Sequence, residues 1–145
     1  MVRNNNQNQD QSLDPYYVHS LDNSSIVTVT PHLTGENYHS WSLKMQKALA
    51  MKYKFKFVDG SIPIPEEDDL NYGAWERCNN LVHTWIINSI SPLIAQSVVF
   101  IENVVDMWND LKDRVMRGDR IRVAQLQEEI ANLKQGSKKI TNFFT

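Results

Sequence analysis

The chain has 145 residues, enough for one ordinary domain and too few for two. A hydrophobic content of 41%, with 10% aromatic residues and four Trp, excludes a chain that never folds. Fifteen Lys+Arg against 17 Asp+Glu, a net charge of -2, argue against a wholesale cationic coat for nucleic acid or membrane, and one Cys excludes an internal disulfide or a Cys-rich zinc module.

Residues 1–30 read as a disordered polar tail with a short extended arm. Asn4, Asn5, Asn6, Gln7, Asn8 and Gln9 form a tract too poor in apolar groups to offset the entropy of ordering it. No apolar segment follows it, so no secretory signal is expected. No run of roughly 18–20 apolar residues spans a bilayer, and the expectation is a soluble cytoplasmic protein. Asp14-Pro15 reads as a turn, and the β-branched run Ser25-Ile26-Val27-Thr28-Val29-Thr30 as an arm that Pro31 stops.

Residues 31–145 read as one helical domain. Asn37 or Thr34 caps a first helix carrying Tyr38, Trp41, Met45 and Leu49 at spacings of three and four. Lys52, Lys54 and Lys56 then alternate with Tyr53, Phe55 and Phe57, which suits either an extended stretch or a fraying helix end. Asp59-Gly60 makes a turn, and Ile62-Pro63-Ile64-Pro65 cannot be helical. Glu66, Glu67, Asp68 and Asp69 supply negative charge and a cap for a second helix. Its buried face holds Leu70, Trp75, Cys78, Leu81, Val82, Trp85, Ile86 and Ile90. Ser91-Pro92 starts a short third helix with Leu93, Ile94, Val98 and Val99. Asn103 caps a fourth, with Val104, Met107, Trp108, Leu111 and Val115 inward and Gly118 at its end. Asp119 caps a fifth, with Ile121, Val123, Leu126, Ile130 and Leu133 inward and Gly136 closing it. Ile140, Phe143 and Phe144 resemble the start of another. The expected fold class is all-α, a compact bundle of about five short helices.

No catalytic constellation stands out. His19, His32, His39 and His83 fall in no HExxH-like or CxxC-like spacing. Cys78 and His83 lie about 140° apart around one helix. Cys78 sits on an apolar face without a motif and reads as a small core residue rather than a nucleophile. GxSxG, GxGxxG and phosphate-cradling glycine loops are missing. No enzyme, metal, other cofactor or small-molecule substrate is expected. The acids at 66–69 suit either a cation or cap and dipole chemistry, with the second preferred.

Residues 44–56 contain Lys44, Lys47, Lys52, Lys54 and Lys56 with no acid among them. Aromatic residues interleaved with lysines are what a single-stranded nucleic-acid groove needs, and a solvated lysine face over core aromatics gives the same pattern. Lys112, Asp113, Arg114, Arg117, Asp119, Arg120 and Arg122 mix both signs, as helix-surface pairs or an intersubunit interface do. The tryptophans read as core.

Particular residues in order go further. Leu33-Thr34-Gly35-Glu36-Asn37-Tyr38 followed by Trp41 resembles the L-x-G-x-N-Y-x-x-W opening of the N-terminal region of copia-type LTR-retrotransposon Gag polyproteins. Phe57-Val58-Asp59-Gly60, then Trp75, then Trp85-Ile86 with Ser89-Ile90, resemble the blocks that follow. Met107-Trp108-Asn109-Asp110-Leu111-Lys112 and residues 119–127, which include Leu126, resemble the most distinctive pair. The likeness runs from Val29 to the C-terminus and is closest to plant elements. It implies a non-enzymatic, capsid-type helical domain that self-associates, Gag to Gag, into virus-like particles around the element's RNA. It also implies a zinc knuckle further downstream, so the chain is expected to be a truncated front end with at most weak RNA binding and no membrane partner. A nucleic-acid-binding module on residues 44–56, or a domesticated protein-interaction relic, are the alternatives.

Overall fold

The computed structural model describes residues 14–23 and 26–143, with side chains as far as Ser137. The Asn/Gln tract, Phe144 and the side chains of Ile140 and Phe143 lie outside the described residues. Among the described residues there are four α-helices and no strand: α1 (Tyr38–Met51), α2 (Tyr72–Ile87), α3 (Pro92–Val98) and α4 (Val104–Phe143). A 3-10 turn occupies Phe55–Phe57, and a parallel bridge joins Leu33 and Ile90. The chain is all-α. It divides into two compact units, Met1–Asp110 and Leu111–Thr145.

The expected fourth and fifth helices are a single helix, and the backbone of the further helix expected after Ile140 continues it to Phe143. Gly118 and Gly136 both lie inside α4. A glycine in a helix interior costs about 1 kcal/mol relative to alanine, too little to break a helix flanked by good formers on both sides. Space around Gly118 is open: apart from its chain neighbours and the backbone of its own helical turns, nothing lies within 4 Å of where a Cβ would stand. Gly118→Ala is therefore expected to stabilise α4 by about 1 kcal/mol, read as a higher melting temperature with increased helical circular dichroism. A drop in either would place a real break at this residue.

In the first unit the helical spacings become burial. Trp41, Met45 and Leu49 of α1 are buried, as are Trp75, Cys78, Val82, Trp85 and Ile86 of α2, Val98 of α3, and Val104 and Met107 at the start of α4. Asn37 occupies the N-cap position of α1, and Ser91 that of α3 with Pro92 at its start, although neither side chain bonds to its helix. The second helix begins later than expected. Asp69 N–H donates to the Glu66 carbonyl and Asn71 N–H to Asp69 Oδ1, so the acids form a turn, and Asn71 holds the N-cap position. Leu70 therefore precedes the helix and is 101% exposed rather than buried. Leu93 and Val99 are exposed too.

Residues 52–57 are neither extended nor frayed. Tyr53 adopts a left-handed φ of 56°, its N–H donates to the Ala50 carbonyl, and Lys54 N–H donates to the Leu49 carbonyl. This pair of bonds is a Schellman closure with tyrosine in the place glycine usually takes. The chain then turns through Phe55–Phe57 and past Gly60, whose φ of +83° supports the expected turn. Ser61 N–H closes that turn onto Asp59 Oδ1 at 2.8 Å.

Within the second unit, Leu111 is buried and Val115 half-buried. Beyond them Ile121, Val123, Leu126, Ile130 and Leu133 are all exposed, against the expectation that they point inward. Their spacing is helical, as read. A period shows that a face wants a partner, and burial needs that partner to be present.

Candidate functional site

The residues of the 33–41 motif hold structure. Asn37 Oδ1 accepts the Thr34 N–H at 2.7 Å and the Thr34 hydroxyl at 3.1 Å, while Asn37 Nδ2 donates to the His32 carbonyl at 2.9 Å. One amide side chain thereby closes the loop that contains Gly35 and aims Tyr38 and Trp41 into α1. Trp41 is buried, and its indole N–H donates to the Ser89 carbonyl at 2.8 Å. That carbonyl also takes the Leu33 N–H, and Ser91 N–H returns a bond to the Leu33 carbonyl. The Ser89 hydroxyl accepts the Val29 N–H at 3.0 Å and donates to the Trp85 carbonyl at 3.0 Å. Ser89 is fully buried and joins the arm, the motif loop, α1 and the end of α2.

An aromatic row continues from this point. The Trp41 ring lies 5.8 Å from Trp108 and 6.5 Å from Tyr38, and Phe55 meets Trp108 edge-on at 6.3 Å. Trp41, Trp75 and Trp85 are buried and Trp108 is half-buried, so the tryptophans are packing groups as expected. Phe57 is buried with Tyr16 against its edge, and Asp59 and Gly60 form the turn behind it.

Two polar residues of α2, neither foreseen, fix the segment leading into α4. Asn79 Nδ2 donates to the Glu102 carbonyl at 2.8 Å and Asn79 Oδ1 accepts the Val104 N–H at 3.0 Å. One turn along, a His83 ring nitrogen lies 2.9 Å from the Ile101 carbonyl. The Asn103 carbonyl accepts the Met107 N–H at 3.0 Å, so Asn103 stands at the expected N-cap position, while Asn79 reaches across space to satisfy the buried Val104 N–H, which has no partner inside its own helix.

The lysines of residues 44–56 do not share one environment. Lys44, Lys47 and Lys56 are exposed, although Lys44 reaches the Thr30 carbonyl at 3.3 Å. Lys52 is half-exposed and pairs with Asp22 at 2.9 Å. Lys54 is 1% exposed, and its ammonium donates to the Pro15 and Tyr17 carbonyls, so it leaves the set of candidate nucleic-acid contacts. The left-handed turn at Tyr53 rotates position 54 inward, which no alternation of lysine with aromatic residues signals. Burial pushes the Lys54 amine below its ordinary range and the nearby Cys78 thiol above its own. Cys78 Sγ lies 3.4 Å from the Tyr16 carbonyl in the buried core, the position expected of a small packing residue.

In the second unit Arg114 is half-buried, and Arg117, Arg120 and Arg122 are exposed. Among the described residues no three His, Cys, Asp or Glu side chains gather as a metal site would require, and no helix is long and apolar enough to cross a membrane.

The features that unite these contacts are those of residues 29–60: a valine arm, an Asn-closed loop, a tryptophan anchor and a Gly-containing turn. Comparison with known proteins falls on the same stretch. Residues 19–66 match the family described as the Gag-polypeptide of LTR copia-type. No curated protein and no solved structure matches the chain. Over residues 19–66, the stretch that Leu33, Asn37 and Trp41 organise, the chain is thus similar to a copia-type Gag region.

Proposed function

We propose that the chain is a structural, non-catalytic, capsid-like Gag module of a copia-type retrotransposon, and that copies of it associate into particles in the cytoplasm. The observation that carries this reading is the coincidence of the family match with residues 19–66, whose motif side chains are committed to packing and loop closure rather than to a ligand. Exposed apolar residues along α4 support it further, since a row of such side chains favours association. Multi-angle light scattering of the full chain over a wide concentration range tests the reading. Growth of the apparent mass with concentration supports it, and a strict monomer throughout overturns it.

A second reading, a single-stranded RNA contact, is favoured by the exposure of Lys44, Lys47 and Lys56 and of Tyr53, which is 50% exposed. A cleft lined by Pro15, Ala50, Tyr53, Phe55, Lys56 and Asp59 offers a stacking surface next to a cation. Fluorescence anisotropy with a labelled oligouridylate is expected to show binding that weakens steeply with salt. Joint replacement of Lys44, Lys47 and Lys56 by Gln is expected to weaken it at least tenfold; unchanged affinity removes the reading.

A further inference from the structure

Helix α4 carries a repeat that its own unit leaves exposed. Val123, Leu126, Ile130 and Leu133 follow one another in steps of three, four and three. In a heptad lettered a to g, Met116, Val123 and Ile130 take position a, and Leu126 and Leu133 take position d. Ile140 falls on the next d of the sequence, while Asp119 and Ser137 interrupt the row. Exposure of the four central residues runs from 52% to 72%. An α-helix has 3.6 residues per turn, so a seam that recurs every 3.5 stays on one side only when the helix winds around a partner.

We propose that α4 pairs with α4 of a second copy of this chain, as a parallel two-stranded coiled coil closed by Val123, Leu126, Ile130 and Leu133. This rests on the self-association reading and gives it a surface. Residue type selects the geometry. β-branched Val123 and Ile130 at a, with Leu126 and Leu133 at d, is the combination that favours two parallel strands over three or four. Charge selects the partner. In a parallel pair each g side chain faces the e position five residues on in the other helix, which sets Glu129 against Lys134 and Arg122 against Gln127. The pairing is attractive at the first and uncharged on one side at the second, so two identical helices meet without a like-charge clash there. Ile121, 60% exposed, falls at position f and stands off the seam.

Sedimentation equilibrium on the full chain tests the pairing, with Leu126→Asp and Ile130→Asp as seam variants and Ile121→Asp as the control. All three positions are exposed, so the variants leave the buried core of the first unit untouched, and circular dichroism verifies the fold. Dimerisation of the unsubstituted chain, weakened at least tenfold by each seam variant and unchanged in the control, is the expected result. Glu129→Lys is expected to weaken the dimer, and adding Lys134→Glu in the same chain to restore it; failure to restore overturns the parallel register. Association that persists equally in Leu126→Asp and Ile130→Asp overturns the seam and leaves self-association standing. A monomer at every concentration overturns both.

Discussion

Trp41→Ala is expected to lower the unfolding free energy by about 3–5 kcal/mol, the range for removing a large aromatic side chain from a core. Three losses combine. The indole is buried and leaves a cavity between α1 and the end of α2. Its contact with the Trp108 ring goes, and the Ser89 carbonyl loses one of its two donors. Trp41→Phe separates them: it retains most of the packing and removes only the N–H, for an expected cost of about 1–2 kcal/mol. Denaturant unfolding followed by far-ultraviolet circular dichroism measures both. Equal costs for the two variants would mean that the hydrogen bond, rather than the ring, anchors the motif. Domains of this size are stable by about 5–15 kcal/mol, so the alanine variant sits close to unfolding.

Lys54→Ala is expected to cost about 3 kcal/mol, because it strips a charged donor from two backbone carbonyls and removes a buried aliphatic stem. Lys54→Met keeps the stem and removes the ammonium alone, so its smaller loss reports the bonds to Pro15 and Tyr17. Residues 14–23 should become the first site of proteolysis in both variants. The pH dependence has a definite sign. Burial lowers the Lys54 pKa in the folded protein below its ordinary 10.5. Between the lowered value and 10.5 the unfolded chain holds more protons than the folded one, so this group's contribution to stability rises with pH. The deficit of Lys54→Met relative to the unsubstituted protein is therefore expected to widen as pH climbs toward 10.5. A deficit that stays constant would mean that the amine is solvated in the folded state.

Much of the architecture was legible because it rests on repetition. Trp41, Met45 and Leu49 on α1, and Trp75, Cys78, Val82, Trp85 and Ile86 on α2, recur at steps that only a helix brings to one side, and they are buried together. The Asp59-Gly60 turn was legible for a different reason, since glycine at a left-handed φ is the least strained choice. Lys54 was not legible. Its neighbours spell a solvated face, and one residue with positive φ overrides the pattern. Gly118 has the local propensity of a helix end, worth about 1 kcal/mol, and the continuity of the long amphipathic α4 outweighs it. Along the α4 seam the period is right and the burial absent. As for the site, Leu33, Asn37, Trp41 and the Ser89-Ile90 pair stand in the resembling blocks, but nothing in the sequence signals that Ser89 joins them in space, and Asn79 carries no signal at all. Ser89 meets partners 48 and 60 residues away, a relation that exists only after folding.

The Ser89 junction also decides when this protein can become a structure. The family-matching stretch ends at residue 66, yet Trp41 and Leu33 find their acceptors and donors at Ser89 and Ser91. On a translating ribosome the motif emerges first and waits, its indole N–H answered only by water, until the end of α2 has been synthesised. The recognisable part of the gene is therefore completed by what is translated after it. A stop codon placed between residues 66 and 89 would preserve the family signature in the DNA and abolish the fold it stands for.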